Sequence, residues 1–330
     1  MSSAALDRLL AFLLVVQLAT GLLTLRSGQP ATAPLFWLHG LVGGALLVAS
    51  VEKLRRSVGP AIRARRWRNL LLGALLALLV AAALSGGFAW VASGRIWSIG
   101  PWTILTLHVW AALAIIPILV FHLLPRRWRL LRPPTITKPM SRRTFLAILG
   151  MSALGALAWA SANVLDRIRG GERRFTGSRR LPDGGIPPPT TFYGEGTPPI
   201  DPDAWRLAVV GRVATPLTLD RDSLAALGDA EVDATLDCTS GWVMRTRWRG
   251  VPLRRVLDAA RADPGATFVN VRSLTGWMVP LERGELDDAL LATHVAGEPL
   301  PAGNGAPLRL VIPGRRGLDW VKWIEQIDVT

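Results

Sequence analysis

One cysteine and four histidines are the residues of this 330-residue chain best suited to hold a metal. Cys238 closes a short run containing Ala234 and Leu236 and opens a Thr-Ser-Gly turn in the stretch LDCTSGW. With no second cysteine in the chain, an internal disulfide is excluded. The thiol is then either a small buried hydrophobe or a thiolate ligand, and its position alone does not choose between them. Three histidines, His39, His108 and His122, stand inside uncharged apolar runs. Ionisable groups in such runs are functional candidates, and imidazole pairs are axial ligands of b-type haem iron. His108 and His122 share a helix face but lie about 21 Å apart along the axis, too far to bind one iron. His39 and His108 fall at similar distances from the starts of their runs, so they form the expected haem pair. His122 is left near the opposite end, as a quinone contact or a ligand of a second haem.

The elements that must carry these groups differ between the two halves. Residues 1–165 hold 17 Lys+Arg against Asp7 and Glu52, a balance of +15, whereas residues 166–330 hold 21 against 22, a balance of −1. The basicity therefore belongs to an apolar half, which argues for a membrane and against nucleic acid. The runs 9–25, 34–51, 69–93, 101–124 and 144–165 are each long enough to cross a bilayer, which takes about 20 residues. Five transmembrane helices are expected. Segments 52–68 and 125–143 carry seven Lys/Arg each, and the other two connections carry Arg26 and Arg95 alone. The positive-inside rule puts the N-terminus and both basic loops in the cytoplasm and residues 166–330 outside.

SRRTFLAILG at 141–150, ahead of an apolar stretch, is similar to a twin-arginine export signal and makes that export machinery an expected partner. The small residues Ala158, Ala160 and Ala162 fit a signal-cleavage pattern. Residues 166–200 are rich in Gly and Pro and read as a linker or wrap. From Trp205 onward, WRLAVVG, EVDATLDC, TFVNVRS, GWMVP, LRLVIP and WIEQIDV read as strands, with helical pieces at 222–227, 253–262 and near 286–293. That mixture predicts an α+β domain with a mostly antiparallel or mixed sheet. The expected domains are a four-helix membrane region at 1–140, the signal-like fifth helix at 141–165, the linker at 166–200 and the outer domain at 201–330.

Five ordered motifs carry a family resemblance: WRLAVVGRV, LDCTSGW, WRGVPL, NGAPLRLVIP and VKWI. Together they resemble the molybdopterin-binding domain of the sulfite oxidase superfamily. The likeness extends to its bacterial, export-signal-bearing branch, which includes catalytic subunits of periplasmic methionine-sulfoxide reductase. The resemblance implies that Cys238 is the molybdenum ligand, a soft thiolate suited to such a metal. It implies that Asn304 and Arg309 hold the pterin and its phosphate, a group that an arginine fork fits well. It further implies cofactor contacts from Trp320, Val321 and Lys322, from Ser273, and from Tyr193 and Gly194. Thr190 stands where that branch commonly has asparagine. His294 is read as a surface or pterin-edge residue.

Sulfite-oxidising relatives follow their cysteine with Gly-Asn and an arginine pair; this chain has Thr-Ser-Gly-Trp-Val-Met-Arg. Arg245 and Arg247 either reach the site or sit on a solvated strand face. The membrane half is similar, less closely, to four-helix cytochromes b. The expected function is a multi-pass molybdopterin oxidoreductase that takes electrons from the quinone pool through haem. Its expected substrate is a small or protein-bound sulfur or nitrogen oxide. The alternatives are a sulfite-type dehydrogenase sending electrons inward and a non-catalytic anchored binding module.

Overall fold

The computed structural model describes residues 1–64, 67–123, 141–190 and 196–330. The chain divides into two compact units, one of Met1–Thr24 with Pro30–Arg179 and the other of Leu25–Gln29 with Arg180–Thr330.

The first unit is helical. Its helices are α1 (Ser3–Thr24), α2 (Ala33–Arg63), α3 (Trp67–Ala92), α4 (Ile104–Leu123) and α5 (Arg142–Ile168), with a short hairpin of β1 (Ser98–Ile99) and β2 (Trp102–Thr103) before α4. All five are long and apolar enough to cross a membrane. Helix α5 starts where the sequence suggests, because the Ser141 hydroxyl accepts from the Thr144 N–H and caps it. It then runs unbroken past Ala158, Ala160 and Ala162 to Ile168. The buried interior is small-residue and leucine-rich, with Leu6, Leu13, Leu14, Ala45, Leu46, Ala49, Ala83, Leu84 and Ile115 packed together. Large apolar side chains, among them Phe12, Leu71, Leu78, Phe121 and Leu157, are exposed on the outside of the bundle.

Glycines set the closest helix contact. A Cβ at Gly44 would lie 2.2 Å from the Gly155 carbonyl oxygen, and one at Gly155 would lie 2.3 Å from backbone of residues 44 and 45. The backbones of α2 and α5 therefore touch, as small-residue interfaces between apolar helices allow.

An ionic clamp joins the ends of α3 and α5. Asp166, 2% exposed, accepts from Arg173 Nε at 2.7 Å and from Arg179 NH2 at 2.9 Å. Arg179, 3% exposed, also donates to the Trp90 carbonyl at 2.6 Å and to the Ser93 hydroxyl at 2.9 Å. The clamp extends the first unit to Arg179, so the first part of the Gly/Pro-rich segment folds with the helices.

The second unit contains two sheets. The first joins β3 (Arg179–Arg180, of which Arg180 belongs to this unit), β6 (Ala230–Asp237), β7 (Trp242–Pro252), β10 (Leu290–Val295), β11 (Glu298–Pro299) and β12 (Arg309–Val311). The second has the order β5 (Leu217–Leu219), β4 (Leu207–Gly211), β13 (Ile324–Val329), β8 (Phe268–Ser273), β9 (Met278–Glu282), with β13 parallel to β4 and its other pairs antiparallel. Short helices α6 (Arg221–Ala225) and α7 (Leu253–Ala259) complete the unit. The mixed α+β expectation holds.

One element differs. The segment near 286–293, expected to be helical, enters strand β10, which pairs with β7, β11 and β12. Leu290, Leu291 and Ala292 are all buried there, and a short apolar run buried on both faces does not reveal its period.

Replacing Asp166 by alanine is expected to leave Arg179 buried beside no carboxylate and to cost about 3–5 kcal/mol. Thermal unfolding of the detergent-solubilised protein measures it. An unchanged midpoint would show that the clamp contributes nothing to stability.

Candidate functional site

The hairpin of β6 and β7 sets the position of Cys238. Its register runs from Ala230↔Gly250 to Asp237↔Val243, leaving residues 238–241 as the turn. The Cys238 N–H donates to the Trp242 carbonyl at 2.8 Å, and its carbonyl accepts from the Gly241 N–H at 2.9 Å. Gly241 has φ of 100°, a conformation open to glycine at low cost, which is why the turn reads Thr-Ser-Gly. The strand-to-turn position read from the sequence is the one observed.

The thiol lines a cavity of about 380 Å³. Thr190, Ser273, Arg309, Trp320, Val321 and Lys322 line it too. Those residues are up to 132 positions apart in sequence and come from both sheets and their connections. Asn304 sits behind the wall, 2% exposed, donating Nδ2 to the Pro187 carbonyl at 2.8 Å. Tyr193 and Gly194 lie outside the described residues.

The cavity is electropositive. Arg309 and Lys322 line it, and no Asp or Glu does so among the described residues. Arg309 is 3% exposed and donates NH1 to the Asn304 carbonyl at 2.8 Å, while its Nε has no hydrogen-bond partner. The indoles of Trp248 and Trp320 lie 5.3 and 5.9 Å from its carbon. Burial lowers its pKa to about 10, with the nearby Cys238 sulfur acting in the opposite direction. The guanidinium is thus charged at neutral pH, buried, and short of an anion. Lys322 bridges two chain segments by donating Nζ to the Thr190 carbonyl at 2.7 Å and the Gly303 carbonyl at 2.8 Å.

Hydrogen bonds also fix the polar rim. Ser273 Oγ lies 3.0 Å from Thr275 Oγ1 and accepts from the Thr275 N–H, closing the β8–β9 turn. Thr190 Oγ1 accepts from Trp242 Nε1 at 3.1 Å. Trp277 Nε1 donates to the Leu318 carbonyl at 3.1 Å. Thr239, Ser240, Trp242, Thr275 and Trp277 also belong to the lining, and sequence reasoning did not single them out. Thr239, Ser240 and Trp242 flank Cys238 directly, so adjacency to the thiol was the available signal.

Arg245 and Arg247 do not join the site. They occupy outward positions of β7, are 61% and 60% exposed, and face Asp233 and Glu231 across the hairpin. The solvated-face reading is the correct one. His294, on β10, pairs Nε2 with Arg249 NH2 at 3.0 Å and does not line the cavity.

A site with a lone thiol beside a buried, anion-deficient arginine suits a group that combines a soft metal with a phosphate. Comparison with known proteins agrees. Residues 194–330 match the family described as oxidoreductase molybdopterin binding domain. The chain is 32% identical over 219 residues to a protein-methionine-sulfoxide reductase catalytic subunit from Gluconobacter oxydans, spanning 57% of this chain and 69% of that one. The chain therefore belongs to the molybdopterin-binding oxidoreductases of the sulfite oxidase superfamily, and is an enzyme.

Among solved structures, the sulfane dehydrogenase SoxCD from Paracoccus pantotrophus is similar at 24% identity and a TM-score of 0.39, over 41% of this chain and 40% of that one.

The cation-rich wall and the thiol fit molybdopterin. Arg309 would meet the phosphate, Asn304 would keep Arg309 in place, and Cys238 would bind the metal. Arg309→Ala removes a charge-assisted contact worth about 1.5–3 kcal/mol, so molybdenum per polypeptide should fall at least tenfold under limiting cofactor. Metal analysis of purified variant and wild type makes the comparison. Equal molybdenum content would remove Arg309 from the phosphate site.

Proposed function

We propose that this chain is a membrane-anchored molybdopterin oxidoreductase that reduces a sulfoxide, with electrons drawn from the quinone pool through haem. The observation that carries the substrate assignment is the lining around Cys238. Beyond the two cations assigned to the cofactor, it offers hydroxyls and indoles: Thr239, Ser240, Thr275, Trp242 and Trp277. Such a wall suits a neutral, partly apolar oxide, and among the described residues it holds no arginine beyond Arg309 to meet a sulfite anion. The relative whose name describes sulfoxide reduction supports the same choice.

The reaction balances as R₂S=O + 2H⁺ + 2e⁻ → R₂S + H₂O, with quinol giving the two electrons and two protons as it becomes quinone. When bound, the molybdenum centre would supply the two electrons that reduce the sulfoxide and would take up its oxygen atom. Cys238 would hold the metal at the cavity wall. Trp242 and Trp277 would pack the substituents of the sulfoxide, and the hydroxyls of Thr239 and Ser240 would donate to its oxygen.

The first unit offers a place for the haem. The rings of His39 on α2 and His108 on α4 have centres 6.1 Å apart and lie perpendicular to each other. Metal–imidazole bonds are about 2 Å long, so this separation suits one metal between two rings. The Nδ1 atoms are engaged at the rear: that of His39 with Thr20 Oγ1 at 2.9 Å, and that of His108 with the Ala83 carbonyl at 2.6 Å. Such second contacts fix the ring and leave Nε2 for a metal. Glycines make room for both rings, since a Cβ at Gly21 would lie 3.2 Å from His39 and one at Gly87 would lie 3.1 Å from His108.

Gln17 Nε2 sits 3.0 Å from His39 Nε2, and its Oε1 is buried with no hydrogen-bond partner. Haem binding would require that amide to turn away. His122 lies along α4 from His108, opposite Gly73 of α3, and is assigned no place in this haem. The five helices with their apolar exteriors support membrane crossing, and the basic segments 52–68 and 125–143 support a cytoplasmic N-terminus with the second unit outside. The twin-arginine-like start of α5 supports export of a domain folded around its cofactor.

His39→Ala and His108→Ala should each abolish the same reduced-minus-oxidised haem band and stop quinol-driven turnover. Methionine sulfoxide reduction with reduced viologen should persist in both, while His122→Ala should keep the band. A wild-type protein without the band, or variants that retain it, would refute the haem assignment. Inactivity toward sulfoxides beside viologen-independent sulfite oxidation would refute the direction.

A further inference from the structure

Behind the Cys238 turn lies a buried ion pair that the reading above does not use. Asp237, fully buried, precedes the cysteine directly and accepts from Arg316 NH2 at 3.2 Å. Arg316 is 3% exposed, and the same NH2 group donates to the Cys238 carbonyl at 3.2 Å. The connection carrying Arg316 presses directly on the turn, since a Cβ at Gly317 would lie 3.3 Å from the Cys238 Cα and 3.0 Å from Leu236. One buried guanidinium thus contacts both the carboxylate of the preceding residue and the carbonyl of Cys238.

We infer that Arg316 and Asp237 form a positioning pair for Cys238, holding the thiolate's backbone in place and balancing the local field felt by the metal. The inference rests on Cys238 being the molybdenum ligand, and it adds two residues that touch neither substrate nor cofactor. Its physical content is a matter of sign. Together the two charges nearly cancel at the cavity. Separately they do not, because a lone charge in a poorly screened interior acts strongly on its neighbours. Loss of Arg316 leaves the Asp237 carboxylate beside the ligand and makes the metal harder to reduce. Loss of Asp237 charge leaves the guanidinium there and makes it easier. A pair that merely braced the fold would move both variants in the same direction, or move neither.

The test is a redox titration of the molybdenum signal in purified full-length protein, with Arg316→Met, Asp237→Asn and the double variant set against wild type. The midpoint potential should fall in the first, rise in the second, and return toward wild type in the third. Arg316→Lys, which keeps the charge on a different shape, should stay near wild type in potential. Shifts of the same sign, or unchanged potentials in variants that retain molybdenum, would overturn the inference.

Should Arg316→Met fail to retain the metal, Asp237→Asn and Arg316→Lys still decide by the sign and the absence of a shift. Loss of the metal from those conservative variants as well would assign the pair to folding alone. Wild-type protein lacking molybdenum would instead refute the reading on which the inference stands, and metal analysis beforehand separates the two failures.

Discussion

A positive charge held almost entirely out of water, in a cavity that no carboxylate lines among the described residues, is the constraint around which the second unit is arranged. Arg309 lies beside the mutually packed indoles of Trp248 and Trp320 and is tied to the Asn304 carbonyl, and neither indoles nor a carbonyl neutralise a guanidinium. Folding around such a charge is costly unless an anion arrives. An anionic group such as the phosphate of molybdopterin would supply that charge. Lys322 adds a second cation to the same cavity, its ammonium bridging the Thr190 and Gly303 carbonyls.

Geometry turns that charge imbalance into a site. The β6–β7 hairpin delivers a thiol on a tight turn, β12 delivers Arg309, and the connection before β13 delivers Trp320, Val321 and Lys322. Each arrives from an element whose own reason for forming is ordinary: alternating burial along β6 and β7, or an apolar run at β12. The chemistry depends on their convergence, and the hydroxyl and indole lining beside the thiol then narrows what substrate the cavity can accept.

Much of this was legible in the sequence because the signals were local. Apolar runs in the first half marked all five helices, and the family resemblance pointed to Cys238, Ser273, Arg309 and Lys322, which line one cavity, and to Asn304 behind its wall. Other features depend on pairing across the chain. The segment at 286–293 looked helical because its apolar residues are consecutive, yet its fate was set by the strands on either side of β10. Arg245 and Arg247 had two readings until the hairpin register put Asp233 opposite Arg247 and left both arginines exposed on the face that carries Asp233 and Glu231. Asp237 and Arg316 are 79 positions apart, and no local pattern links them. The clamp of Asp166 with Arg173 and Arg179 was hidden similarly, inside a stretch whose glycines and prolines suggested a linker.

The account's central claim is that Cys238 binds the metal, and X-ray absorption at the molybdenum edge tests it most directly. In wild-type protein the metal's shell should contain one more sulfur than the pterin dithiolene supplies. Cys238→Ser should lose that one sulfur and gain an oxygen neighbour, because a harder ligand then occupies the position. An identical sulfur count in the variant that still holds molybdenum would contradict the account.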